Sequence, residues 1–310
     1  MPVSSPSVLV IRLDAIGDAL ALTPMLAAFH ARSIPVDVVL SPANAGIFAR
    51  RAVRRTIVAR RDEEVGRQLR EHRYTHVLVA TEDWAGYRLA RETRAPRRVG
   101  FTNYWGKPLK SIWTRRYVNR RVYRSAGLDP RAPHECEVLF RLASVLLGDE
   151  QPSHDAAVLR PMVLDNAAAE DSRITLQVTD KWQRMGLAFT DVVELARRLQ
   201  AFGGLRALAA AAESAYAEKV ATAAGVSVDF FTEFEPWKEA IAGARALVAP
   251  DSGALHVAGM VGTPVVAIFP PSRNFAPQVA RWSPWAAPHR IVRADNGWTA
   301  RATDALVQLL

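Results

Sequence analysis

The 310-residue chain is long enough for two domains, and its 49% hydrophobic and 23% charged residues describe a globular protein rather than a disordered or fibrous one. A single cysteine, Cys136, excludes an internal disulfide framework and a cysteine-based metal site. The net charge of +9 belongs to the first half: residues 1–150 hold 25 Lys+Arg against 15 Asp+Glu, while the remainder is close to neutral, so the first half is the part suited to an anionic partner. The most apolar stretches, Val8–Phe29 and Ala246–Phe269, carry charged or His residues and turn formers, which argues against membrane spans. The N-terminus has no basic segment leading into an apolar one, so no signal peptide is expected and the cytoplasm is the simplest location.

In chain order, Ser7–Leu13 is an apolar, β-branched run that predicts a strand ending in a turn at Asp14–Asp18. Ala19–Ala31 predicts a helix, followed by a strand at Val36–Leu40, a helix at Ala43–Ala52 and a strand at Arg54–Ala59. A helix at Glu63–Glu71 and strands at Thr75–Ala80 and Arg97–Gly100 come next, then a helix at His134–Leu147 that Gly148 would cap. Residues 149–172 change character, with Pro152, Pro161 and a small polar run at Asn166–Ser172, and read as the zone between domains. Strands are then predicted at Ile174–Val178, Leu205–Ala210, Val226–Phe231, Ala246–Ala249 and Val265–Phe269. Helices alternate with them at Phe189–Phe202, Ser214–Ala224, Trp237–Gly243 and Leu255–Val261, and Asp304–Leu310 reads as a last helix. Alternation of this kind builds parallel βαβ units. The expected architecture is α/β: a Rossmann-like domain over 1–160 and a second Rossmann-like domain over 161–310, with parallel sheets facing a central cleft and a final helix free to pack back on the first domain. Ligands of such sheets bind at the carboxyl ends of the strands.

Three segments sit at such ends. In Ile11-Arg-Leu-Asp-Ala-Ile-Gly-Asp18, a strand leads through a Gly17-containing turn into a helix. Asp18 is then either an ordinary helix-capping aspartate or a carboxylate placed as general base for a ligand hydroxyl. Asp14, four residues earlier, competes for that role. In Asp251-Ser-Gly-Ala-Leu-His256, a second strand ends in a Ser-Gly turn that opens a helix. Its free N–H groups and positive dipole end suit a diphosphate, with His256 one turn further in. In Thr179-Asp-Lys-Trp182, Lys181 follows the first strand of the second half, where a cation can neutralise charge growing on a leaving diphosphate.

Together with His134–Gly148 and Arg281-Trp-Ser-Pro-Trp285, and with the run through Gly262-Thr-Pro-Val-Val-Ala-Ile-Phe269, these segments resemble glycosyltransferase family 9, the lipopolysaccharide heptosyltransferases. The matches fall in family order along nearly the whole chain. The resemblance implies a two-domain GT-B fold and inverting, metal-independent transfer. It implies that the second domain binds a nucleotide sugar, with ADP-heptose the expected donor, and that the first binds the acceptor. By the family motif Asp18 is the catalytic base and Lys181 contacts the donor phosphate. Asp251, Ser252, Gly253 and His256 grip the diphosphate and donor sugar, and Glu213 stands where the family has an acid at the ribose. Two departures bear on the donor. Pro270-Pro-Ser272 replaces the usual Gly-Pro-Thr, and Trp182 follows Lys181 directly with no nearby proline.

The expected acceptor is an anionic saccharide or glycolipid such as a lipopolysaccharide core, with peripheral contact at the inner face of the cytoplasmic membrane. The stretch Trp84–Arg124 interleaves basic residues with Trp84, Tyr87, Tyr104, Trp105 and Trp113, a mixture suited to anions and sugar faces, and Arg88, Arg91, Arg97 and Arg98 are the residues expected to touch the acceptor. No cofactor and no metal ligands are expected. A nucleotide-sugar epimerase on the same fold is the alternative enzyme, disfavoured because it has no use for a basic acceptor cluster. A basic nucleic-acid-binding protein is the non-enzymatic alternative, disfavoured because no nucleic-acid motif is present.

Overall fold

The computed structural model describes residues 6–59, 63–103, 106–125 and 131–310, and it divides into two units, Met1–His154 and Asp155–Leu310. The first unit runs β1 (Val8–Arg12), α1 (Ile16–Leu20), α2 (Thr23–Ala31), β2 (Val36–Leu40), β3 (Arg55–Val58), α3 (Glu63–Glu71), β4 (His76–Val79), α4 (Trp84–Glu92), β5 (Arg97–Thr102), α5 (Pro108–Thr114), β6 (Arg120–Tyr123), α6 (Glu135–Phe140) and α7 (Ser144–Leu147). The second runs α8 (Ala156–Val163), β7 (Asp171–Gln177), α9 (Lys181–Arg184), α10 (Phe189–Gln200), β8 (Leu205–Ala210), α11 (Ser214–Ala224), β9 (Val228–Phe231), α12 (Phe234–Gly243), β10 (Ala244–Pro250), α13 (Gly253–Val261), β11 (Val265–Phe269), α14 (Phe275–Trp282), β12 (His289–Arg293) and α15 (Trp298–Val307).

Each unit holds one six-stranded parallel sheet, ordered β3-β2-β1-β4-β5-β6 in the first and β12-β11-β10-β7-β8-β9 in the second. Both are doubly wound, and in each the order reverses beside the unit's first strand, between β1 and β4 and between β7 and β10. Central strands such as Val8–Arg12 and Val265–Phe269 are buried at every position, which explains their uninterrupted apolar sequence: a parallel strand covered on both faces has no polar side. Leu9, Ile11, Val39, Val77 and Tyr87 belong to the first core, and Ile174, Leu176, Leu195, Val248 and Ile268 to the second. Trp182 is fully buried, stacks on Trp298 at 5.7 Å and donates its indole N–H to the Gln177 carbonyl at 3.0 Å, so it is a core residue that fixes the turn carrying Lys181.

Several expected elements come out differently. The helix expected over Ala19–Ala31 is two helices. Pro24, at the second position of α2, would clash with the Leu20 carbonyl in a continuous helix, and the Thr23 hydroxyl takes that carbonyl at 2.6 Å instead. The helix expected over Ala43–Ala52 is only a 3₁₀ turn at Pro42–Asn44. Asn44 is buried and donates to the Asp14 carbonyl at 2.8 Å, which ties this segment to the loop after β1. The helix expected over His134–Leu147 is broken by a 3₁₀ turn at Arg141–Ala143, and Gly148 caps its end with φ at +66°. The supposed inter-domain zone contains α8, in spite of Pro161, and α8 packs against α13. The division therefore lies at His154/Asp155 rather than between 160 and 161. The last helix begins at Trp298 and takes its place in the second unit's core, against α10 and β12.

Candidate active site

At the carboxyl edge of the first sheet, the last residue of β1 organises the polar groups. Arg12 is only 1% exposed, and its guanidinium donates to the Asp18 carboxylate at 2.7 Å and to the Asp18 carbonyl at 3.1 Å. It also donates to the Ala80 carbonyl beyond β4 and to Glu135 at 3.4 Å, and its Nε lies 3.3 Å from Asp14. Glu135, fully buried at the start of α6, accepts two further bonds from Arg124, at 2.8 and 3.0 Å. Asp18 is the third residue of α1, and its second oxygen accepts the Ala15 backbone N–H at 3.2 Å. Asp18 is not itself the N-cap, which is Ala15, but it reaches back to the cap's N–H from the third helical position. It is a partly exposed carboxylate at the switch point, held in a single orientation by a buried arginine. Asp14 shares the same arginine, so the competition between the two carboxylates stands. Gly17 lies within α1 rather than in the turn before it, and is not among the residues with positive φ.

Further along the same edge, Glu82 accepts from Lys107 at 3.0 Å and from Asn103 at 3.3 Å, while Lys110 donates to the Glu82 carbonyl at 3.0 Å. Burial alone would raise the Glu82 carboxyl, but the Lys107 hydrogen bond and the charges of Arg124, Lys110 and Lys107 outweigh it and hold it at about 2.

At the carboxyl edge of the second sheet, the turns after β7 and β10 bring the expected donor residues together. Lys181 opens α9 and lies 3.9 Å from Asp251, with its backbone N–H on the Thr179 hydroxyl at 3.3 Å. Asp251 accepts from Gln278 of α14 at 2.7 Å, and its other oxygen is 3.9 Å from His256 Nε2. Ser252 and Gly253 form the entry to α13, a nine-residue helix, and the buried Ser252 hydroxyl has no hydrogen-bond partner among the described residues. The His256 ring packs edge-on against Trp282 at 5.7 Å. The segment after Trp282 crosses α13 so closely that a Cβ on Gly259 would come within 2.9 Å of the Trp285 backbone, which explains a glycine there. The late Arg281–Trp285 segment is therefore a brace for the helix bearing His256. Glu213, just after β8, accepts from Thr179 at 2.8 Å. Burial and the adjoining Asp180 carboxyl raise its pKa, while the hydrogen bond with Glu213 and the nearby Arg184 lower that of Asp180.

The four expected acceptor arginines do not gather at the first unit's carboxyl edge. Arg97 and Arg98 begin β5 and so stand at the opposite, amino-terminal edge of the sheet, paired in register with His76 and Val77. Arg98 donates to the Tyr117 and Ala95 carbonyls, and Arg97 to His76. Arg88 is in the middle of α4, and Arg91 is in its last turn, over the Tyr117 ring at 5.8 Å. Among the described residues, Arg12, Lys107, Lys110 and Arg124 are basic residues at the carboxyl edge. Tyr104 and Trp105 lie outside the described residues. Arg12 and Glu135 carried no signal as site residues in the sequence, because their partnership spans 123 positions. Among the described residues, no cluster of three or more His, Cys, Asp or Glu is arranged to hold a metal ion, and no helix is long and apolar enough to cross a membrane.

Comparison with known proteins agrees with this geometry. The family model for glycosyltransferase family 9 (heptosyltransferase) matches residues 190–306. A search of curated proteins finds no match. Among solved structures, a glycosyl transferase family 9 protein from Veillonella parvula DSM 2008 superposes with a TM-score of 0.75 at 14% identity, covering 100% of this chain and 98% of that one. E. coli heptosyltransferase WaaC with ADP-2-deoxy-2-fluoro heptose gives 0.70 at 21% identity, over 97% and 98%. E. coli ADP-heptose lps heptosyltransferase II gives 0.66 at 18%, over 98% of each chain. The chain has the α/β fold of these heptosyltransferase structures, and residues 190–306 of its second unit match the family 9 glycosyltransferase (heptosyltransferase) model.

Proposed function

We propose that the protein transfers heptose from ADP-heptose, with inversion and without a metal ion, onto an anionic saccharide acceptor of the lipopolysaccharide-core kind. The observation that carries the reading is the convergence at one switch point of Lys181, His256, the α13 N-terminus and the unpartnered, buried hydroxyl of Ser252. A diphosphate satisfies all four: it supplies acceptor oxygens to the hydroxyl and amides, and negative charge to the lysine, the imidazole and the helix dipole. WaaC, solved with an ADP-sugar, supports adenine as the base.

In this reaction the acceptor hydroxyl loses its proton to Asp18 as its oxygen bonds to the anomeric carbon. The bond from that carbon to the diphosphate breaks, and ADP departs. Arg12 keeps the Asp18 carboxylate aimed. Lys181, His256 and the amides at Ser252–Gly253 take up the charge growing on the leaving diphosphate. Glu213 receives the ribose hydroxyls. Lys107, Lys110 and Arg124 suit the acceptor's anionic groups better than the arginines of α4 and β5, because they lie on the same sheet edge as Asp18.

Calorimetric titration with ADP, UDP, GDP and CMP tests the donor. ADP is expected to bind at least about tenfold tighter than the others, a difference of about 1.4 kcal/mol. Tighter binding of another nucleotide would overturn the heptose assignment and leave sugar transfer standing.

A further inference from the structure

The helix α5 is inside out. Its small polar residues, Ser111 and Thr114, are buried, and the Ser111 hydroxyl accepts the Asn103 backbone N–H at 3.2 Å. Its large apolar residues point outward: Leu109 is 75% exposed, Ile112 59% and Trp113 49%. Positions 109, 112 and 113 follow helical spacing, so the three side chains form one outward face. An ordinary surface helix buries its apolar stripe. Tyr123, on the edge strand β6, adds a fourth exposed large side chain at 54%.

Along the segment that carries this face the charge is of one sign, with Lys107 and Lys110 paired to Glu82 of the loop after β4. Residues 106–125 contain seven Lys or Arg and no Asp or Glu. Arg115, Arg116, Arg120 and Arg121 are exposed, and Arg116 stacks over the Trp113 ring at 4.8 Å. An apolar protrusion flanked by arginines, with an indole and a phenol among them, has the composition of a segment that sits at a bilayer interface. Its apolar side chains enter the acyl boundary, its aromatic rings lie at headgroup level and its cations meet lipid phosphates. A second copy of this chain would place like charges against each other, which costs affinity.

We propose that α5 and β6 form a membrane-docking face, with Leu109, Ile112 and Trp113 inserted into an anionic bilayer and Arg115, Arg116, Arg120 and Arg121 on its phosphates. The proposal goes beyond sugar transfer, and its test needs neither donor nor acceptor, so its failure would leave the transferase reading untouched.

The test is co-sedimentation with vesicles of phosphatidylcholine alone and of phosphatidylcholine with phosphatidylglycerol. The full chain is expected to bind the anionic vesicles, to bind neutral ones far more weakly, and to be released by salt. Leu109→Ser with Ile112→Ser is expected to weaken binding about tenfold or more. Arg115→Gln with Arg116→Gln is expected to weaken it roughly 30-fold, about fivefold per arginine. Should the double serine variant show a lowered melting midpoint, Leu109→Ser alone, at the most exposed position, carries the apolar arm. Equal binding by wild type and the serine variants overturns the proposal, as does equal binding to neutral vesicles. A sedimentation equilibrium showing that the serine variants abolish self-association while vesicle binding persists assigns the face to a second copy and overturns it as well.

Discussion

At the carboxyl edge of the first sheet a buried arginine holds Asp18 at hydrogen-bond distance, whereas at the same edge of the second sheet Lys181 and His256 stand further from the carboxylate they face. Asp18 is bound by Arg12 at 2.7 Å, and Arg12 is bound in turn by the buried Glu135, which Arg124 grips at 2.8 and 3.0 Å. Lys181 and His256 stand 3.9 Å from Asp251, and the Ser252 hydroxyl has no partner among the described residues. The difference follows from the task proposed for each edge. A general base must be ionised and oriented before its substrate arrives, so its hydrogen bonds are made within the protein. An anion gains most from a donor such as the Ser252 hydroxyl, which has no internal hydrogen bond to give up.

That contrast can be broken from either side. The largest effect on the folded state is expected at the first sheet's edge. Arg12→Met removes one member of a buried ionic network and leaves Glu135 with Arg124 alone, so unfolding free energy should fall by about 3 kcal/mol. Denaturant titration measures it, and ADP affinity in the variants that remain folded should be unchanged. A loss below about 1 kcal/mol would show that the network contributes little to holding Asp18. The smallest effect on folding is expected at the other edge. Ser252→Ala deletes a hydroxyl with no internal partner, so stability should change by less than about 0.5 kcal/mol. ADP binding should nevertheless weaken about fivefold, the worth of about one hydrogen bond. If stability falls and ADP affinity does not, Ser252 is a structural cap and the donor assignment at α13 loses its best support.

The two edges also differed in how well the sequence announced them. In the second unit, β8, α11 and β11 fall where the apolar and helical patterns put them, since buried parallel strands are continuous apolar runs. The turns after β7 and β10 carry Lys181 and Asp251–His256 within a few residues of a strand end, so local order was enough to place them at that edge. In the first unit the chemistry is made by long-range pairing. Arg12 reads as one charge ending a strand and Glu135 as one acid opening a helix, and only the fold brings them to 3.4 Å. The placement of the arginine cluster was not legible for a related reason. In Arg97-Arg98 the residues begin a strand, while Arg124 follows the end of one, and a parallel sheet sends those two places to opposite edges. The β12 strand escaped notice because its apolar content is slight, two residues among five.

The most direct test of the account is Asp18→Asn, with transfer and donor binding measured separately. The substitution keeps the size of the side chain and removes its ability to take a proton. Transfer from ADP-heptose should fall by about 10²–10⁴-fold, the usual contribution of a general base, while calorimetric ADP affinity stays within about twofold of wild type. Transfer near the wild-type rate would contradict the assignment of Asp18 as base and move the role to Asp14.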